Sequence, residues 1–228
     1  MTMFSIRTPA VGALAVLVLA GTAPAQTASP ILNTLQVRTL VASAEPADHA
    51  RLSGHFSALA DQHDAESRRH MAMASSFVGN PNRNLGTGMS AHCKRLATLN
   101  AESAATLRQL VTHHQALASG APSTPPRGAA AFHGGAGAPE PTPTELKALA
   151  AKAVTPADHR GLEEYFVTLA KRYTAEATDH AAIAQSYRGT RIAQAAVHCD
   201  RIVANAREAA QEATAAAEMH NALARIPR

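Results

Sequence analysis

From Pro156 onward the chain places His159, Leu162, Phe166, Leu169, Tyr173, Glu176, His180, Ile183 and Tyr187 at alternating spacings of three and four. That recurrence draws one continuous stripe along a helix. Thr155, Pro156 and Asp158 supply an N-cap, a first-position proline and a first-turn acid, and Gly189 supplies the stop. A return helix follows, with His198, Ile202, Ala209, Ala213, Ala216, His220 and Leu223 on its stripe. Together they predict a long helical hairpin.

The same pattern occurs earlier in the chain. Pro46-Ala47-Asp48-His49 returns as Pro156-Ala157-Asp158-His159, and Phe56, Leu59, Ala60, Ala65, Glu66, His70 and Gly79 recur as Phe166, Leu169, Ala170, Ala175, Glu176, His180 and Gly189. After a short insertion around residues 80–88 the register resumes with His92-Cys93 against His198-Cys199. Arg95, Glu102, His114 and Leu117 then match Arg201, Glu208, His220 and Leu223. Self-similarity of this extent marks a tandem duplication. Short apolar helices, Ile31 to Ser43 and Glu145 to Ala153, precede each hairpin. One hairpin cannot bury its own stripe, so the expected fold is all-α: two hairpins packed as an antiparallel four-helix bundle.

Between the copies, residues 119–144 are rich in Pro, Gly and Ala and read as a flexible linker. His133-Gly134-Gly135-Ala136-Gly137, inside it, lacks the preceding strand a phosphate loop needs. At the other end of the chain, Arg7, the apolar stretch Val11 to Ala20 and the small residues Ala23-Pro24-Ala25 follow the order of a secretory signal. That stretch is about ten residues, against the roughly twenty of a membrane-spanning helix. The expected organisation is therefore a signal peptide at 1–25, a first hairpin repeat at 26–118, the linker at 119–144 and a second repeat at 145–228. The mature chain is expected in the periplasm or secreted, with no membrane span after signal removal.

Charge narrows the function classes. The net charge is +4, but Lys and Arg are scattered among acids and there is no Trp, so the concentrated basic face with stacking aromatics that nucleic acid requires is missing. Neither a nucleophile elbow nor a zinc-protease helix motif is present. In di-iron bundles Glu and His stand three apart, whereas here they stand four apart in the first helix of each copy. No enzyme is expected.

Histidine carries the candidate chemistry. His49, His70, His92 and His114 have counterparts in His159, His180, His198 and His220. His55, His63 and His113 stand against Tyr165, Tyr173 and Met219 and read as ordinary half-buried or surface side chains. His180 and His198 lie nine residues either side of Gly189, while His159 and His220 lie thirty and thirty-one away. Each pair defines one height of an antiparallel hairpin, and the heights are about 32 Å apart at a 1.5 Å rise. If the two hairpins packed with their turns at the same end, a turn-proximal layer would gather His70, His92, His180 and His198 beside Cys93 and Cys199. A distal layer would gather His49, His114, His159 and His220.

Imidazoles converging from facing helices are how bundles hold metals. The expectation is an exported, non-catalytic bundle that binds a transition metal, copper or zinc, through these eight histidines. Glu66 and Glu176, four residues before His70 and His180, would orient those imidazoles or ligate directly. They also stand at the heights of Arg95 and Arg201, with which salt bridges are expected. Two alternatives stay open: a structural or protein-interaction module without cofactor, its partner another exported protein, and non-covalent haem b between two histidines, since no Cys-x-x-Cys-His occurs. Cys93 and Cys199 read as a disulfide if the return helices are neighbours, as soft metal ligands, or as unpaired thiols. His70-Met71-Ala72-Met73 offers copper-type ligands, although Met71 and Met73 become Ala181 and Ile183 in the second copy.

Overall fold

The computed structural model describes residues 31–43, 45–78, 83–119 and 142–226, with the side chains of 83–87 left aside. The expected signal peptide, most of the expected linker and the turn of the first hairpin lie outside the described residues. Six helices occupy what is described: α1 (Thr34–Ser43), α2 (Pro46–Val78), α3 (Arg83–Ala118), α4 (Pro143–Lys152), α5 (Pro156–Arg188) and α6 (Ala195–Ala224). The local signals behave as their chemistry requires. Thr155 caps α5 in a reciprocal box with Asp158, Thr142 does the same for α4 with Glu145, and Gly189 closes α5.

Helices α2 and α3 form one hairpin, α5 and α6 the other, and α3 packs on α6. Spacings of three and four run without interruption along the buried face of α3: Met89, Cys93, Leu96, Asn100, Ser103, Leu107, Leu110 and His114. The facing side of α6 is mostly alanine, with Ala206, Ala209, Ala213 and Ala216 all buried, so the two return helices approach closely. The opposite seam is built from long side chains. The α2 and α5 backbones stand further apart and meet through His63 with Glu176 and Glu66 with Arg172. Helices α1 and α4 each touch both α2 and α5, covering this wider seam at its two ends.

The hairpins run in opposite directions. His92 meets Glu212, Arg95 meets Glu208 and Asn205 meets Ser103, so α3 and α6 are antiparallel, with the two turns at opposite ends of the bundle. Two large apolar clusters follow from this, beside a small third one of Ala177, Val203 and Ala206. One gathers Met73, Phe77, Met89, Cys93 and Phe166 under α4, and the other gathers Phe56, Leu107, Tyr187, Cys199 and Ile202 under α1. A polar belt of His63, Asn100 and Tyr173 separates them at mid-height. Among the described residues no helix is long and apolar enough to cross a membrane.

Candidate functional site

The paired stripes of α2 and α3 meet in layers whose register is fixed by direct contacts. The Nδ1 atoms of His49 and His114 are 3.1 Å apart, and His63 Nδ1 lies 2.9 Å from Asn100 Oδ1. Ser67 donates to the Ala97 carbonyl at 2.8 Å. Continuing that register one heptad past His63 and Asn100 puts His70 and Cys93 in one layer, and the next layer holds Met73 and Met89. The second hairpin repeats the scheme. His159 and His220 bring their Nδ1 atoms to 3.2 Å, and the equivalent register puts His180 and Cys199 in one layer.

The distal histidines are thus joined in pairs, one pair per hairpin, and the pairs sit at opposite ends of the bundle. A four-histidine layer does not form at either height, because it required both turns at one end. In each pair burial pushes one ring, His114 or His220, down to about 3, with the neighbouring His49 or His159 adding to the effect. The rings of His49 and His114 stack at 5.2 Å, leaving no room between them for the macrocycle a bis-histidine haem needs. His114 Nε2 also lies 2.7 Å from the Tyr187 hydroxyl, whereas Phe77 occupies the matching place at the other end and His220 Nε2 has no partner.

The turn-proximal set separates further. His92 faces Glu212 at 2.6 Å across α3 and α6, half-exposed, while His198 Nδ1 has no hydrogen-bond partner. Arg95 pairs with Glu208 rather than Glu66, and Arg201 reaches Gln109 rather than Glu176, because the antiparallel return helices face each other. Cys93 and Cys199 are both buried and unpaired. The return helices are indeed neighbours, but Cys93 is level with the region of Glu212, thirteen residues from Cys199. At a 1.5 Å rise that is about 20 Å, far beyond the roughly 7 Å reach of a disulfide. Burial pushes each thiol up to about 12.

No known protein family, curated protein or solved structure matches the chain. Its chemistry must be read from its own side chains.

His55 and His63, which the sequence alone marks as ordinary side chains, line the α2/α5 seam. Asn100 donates to the Leu96 carbonyl and to Tyr173, so its oxygen accepts from His63 Nδ1. The other ring nitrogen faces Glu176 at 2.9 Å. Burial alone would lower the His63 pKa, but the Glu176 bond and charge, with Asn100, outweigh it and raise it above the usual value; the same bond holds Glu176 below the usual range against its own burial. Opposite, Glu66 is gripped by Arg69 at 2.8 Å and Arg172 at 2.5 Å. His55 Nδ1 accepts from the Leu32 amide at 3.0 Å, so its proton sits on Nε2, which has no partner. A cleft of about 690 Å³ opens over this seam beside α1.

His70 is the least satisfied group. It is 0% exposed, neither ring nitrogen has a hydrogen-bond partner, and its approach to Glu66 is 3.9 Å, too long for a hydrogen bond. Burial, with Arg172 and Arg69 nearby, pushes it down to about 3, so the ring is neutral, the charge state a metal ligand needs. His180, its counterpart, is buried with Nδ1 unpartnered. Among the described residues, no three His, Cys, Asp or Glu side chains converge into a ready ligand set. Any ion here needs a donor of another kind or a small shift of its ligands.

Proposed function

We propose that this is an exported, non-catalytic helical-bundle protein that binds a transition-metal ion at the His70 and Cys93 layer, with His180 and Cys199 as its repeat. The observation that carries the reading is His70: wholly buried, neutral and without a partner on either nitrogen. Leaving such a group unsatisfied costs about 1–3 kcal/mol, and coordination removes that cost. The same layer supplies a thiol, which becomes a ligand when a metal displaces its proton. Imidazole with thiolate suits copper or zinc. Export rests on the order of charge, apolar stretch and small residues in the first 25 positions.

The paired histidines support a second reading for their own positions. His49 with His114, and His159 with His220, are packing elements joined by hydrogen bonds, and on this reading the whole chain is a structural or interaction module. Metal uptake separates the two. The untagged chain from residue 26 is loaded with zinc or with copper under reducing conditions, desalted and measured by elemental mass spectrometry, alongside a His70→Ala, His180→Ala double variant. Near-stoichiometric metal in the parent and loss in the variant support the metal reading. A parent that retains no metal supports the module.

A further inference from the structure

We infer that the His70 layer is a copper(I) site, completed by the thioethers of Met73 and Met89. This deepens the metal reading above and rests on it.

The argument starts from where methionine occurs. Beyond the two at positions 1 and 3, the chain has four, Met71, Met73, Met89 and Met219. All four fall at one end of the bundle, the end where α2 leaves and α3 enters the first hairpin. Met73 and Met89 are 0% exposed and belong to the same apolar cluster as Cys93, with Met219 packed against it. By the register of α2 on α3, His70 and Cys93 occupy one layer and Met73 and Met89 the next. That is one imidazole nitrogen, one thiol sulfur and two thioether sulfurs within a single turn of each helix.

Methionine in a core usually fills space. Here the second hairpin is an internal comparison, because it keeps the His180 and Cys199 layer but has Ile183 and Ala195 where the first has Met73 and Met89. Both of those packed positions are buried, so the fold is satisfied by plain aliphatic side chains there. Thioethers stand beside this layer only in the copy whose histidine lacks a hydrogen-bond partner on both nitrogens. The donor set also accounts for the missing third hard or borderline ligand: the additional donors beside this layer are soft.

Thiolate and thioether sulfur select cuprous copper over harder ions. Binding needs no oxidant or reductant when the ion arrives as copper(I). The ion takes a lone pair from one His70 nitrogen and one from each methionine sulfur, and it replaces the Cys93 thiol proton, which passes to solvent. Met71 is 49% exposed on α2, and Met219 lies over Gly88, where an added Cβ would come within 2.8 Å of the Met219 methyl carbon.

The test is competition for copper(I) against bicinchoninate under anaerobic conditions, paired with zinc uptake, on the chain from residue 26 and on a Met73→Leu, Met89→Leu double variant. Leucine conserves volume, so folding is retained. The inference expects at least a tenfold loss of copper(I) affinity in the variant with zinc uptake unchanged. Equal copper(I) affinity in parent and variant overturns the thioether assignment while leaving the metal reading standing. A parent that takes neither ion overturns both. Should the variant not fold, the extended X-ray absorption fine structure of the copper-loaded parent decides: two or three sulfur scatterers support the site, and one sulfur or none overturns the thioether assignment.

Discussion

Mild acid unfolds this protein if the buried histidines are as neutral as their surroundings require. Burial pushes His55 down to about 4, with His180 adding to the effect, and His114 and His220 down to about 3. In the unfolded chain each returns to about 6.5, so below that pH the unfolded state binds more protons than the folded one. Stability from these groups is therefore fully present above about pH 6.5 and is lost as pH falls towards their folded values. At about pH 5 each has lost roughly 1.5 units, or about 2 kcal/mol, and the three together about 6 kcal/mol. That is comparable with the whole stability of a domain, about 5–15 kcal/mol. His63 runs the other way: its raised pKa stabilises the fold below about pH 6.5 and releases that stability as pH rises through the folded value. It is one group against several. Urea unfolding of the metal-free protein, followed by far-ultraviolet circular dichroism at about pH 7.5, 6.5, 5.5 and 5, reads the sum as a falling midpoint at constant slope. A stability that changes by less than about 1 kcal/mol across that range would refute the neutral, sealed-in histidines.

Two further outcomes test the packing. Tyr187→Phe leaves His114 Nε2 without its hydroxyl and should cost about 1–3 kcal/mol, while Phe77→Tyr offers a partner to His220 Nε2 and should recover up to about 1 kcal/mol; chemical denaturation of both variants reads the difference, and a neutral Tyr187→Phe would contradict the hydrogen bond. Both cysteines should react with a thiol reagent after unfolding in the absence of reductant and neither should react in the native, metal-free protein; finding no reactive thiol after unfolding would restore the disulfide.

The helices were legible because their signals are local. Caps at Thr155 and Asp158, the stop at Gly189 and the stripe from His159 to Tyr187 depend on neighbours within a few residues. Heights within one hairpin were legible too, since an antiparallel pair equates residues equidistant from its turn, and the 3.1 and 3.2 Å histidine pairs sit where that rule puts them. The relative direction of the hairpins was not legible. It depends on which faces approach closely, the alanines of α6 against α3, and which are held apart by His63, Glu66, Arg172 and Glu176. That direction decided whether the histidine layers merge, whether Arg95 meets Glu66 or Glu208, and whether the cysteines meet.

Duplication was also a misleading guide at the centre. His55 and His63 have no histidine counterparts, because the second copy has Tyr165 and Tyr173 there. Near the axis relating the two copies, equivalent residues compete for the same space, so the positions that matter diverge: Asn100 joins His63 on one side to Tyr173 on the other. The legible signal was spacing, since His55, His63, Glu66 and His70 fall on the same α2 stripe as Phe56 and Met73.

The central claim, an ion held in the His70 and Cys93 layer, is tested most directly by an anomalous-difference map from a crystal of the chain from residue 26 grown with copper(I). The account predicts a single strong peak between α2 and α3, within bonding distance of a His70 nitrogen and the Cys93 sulfur. A peak confined to surface residues such as His92 and Glu212, or no ordered peak in copper-saturated crystals, would contradict it.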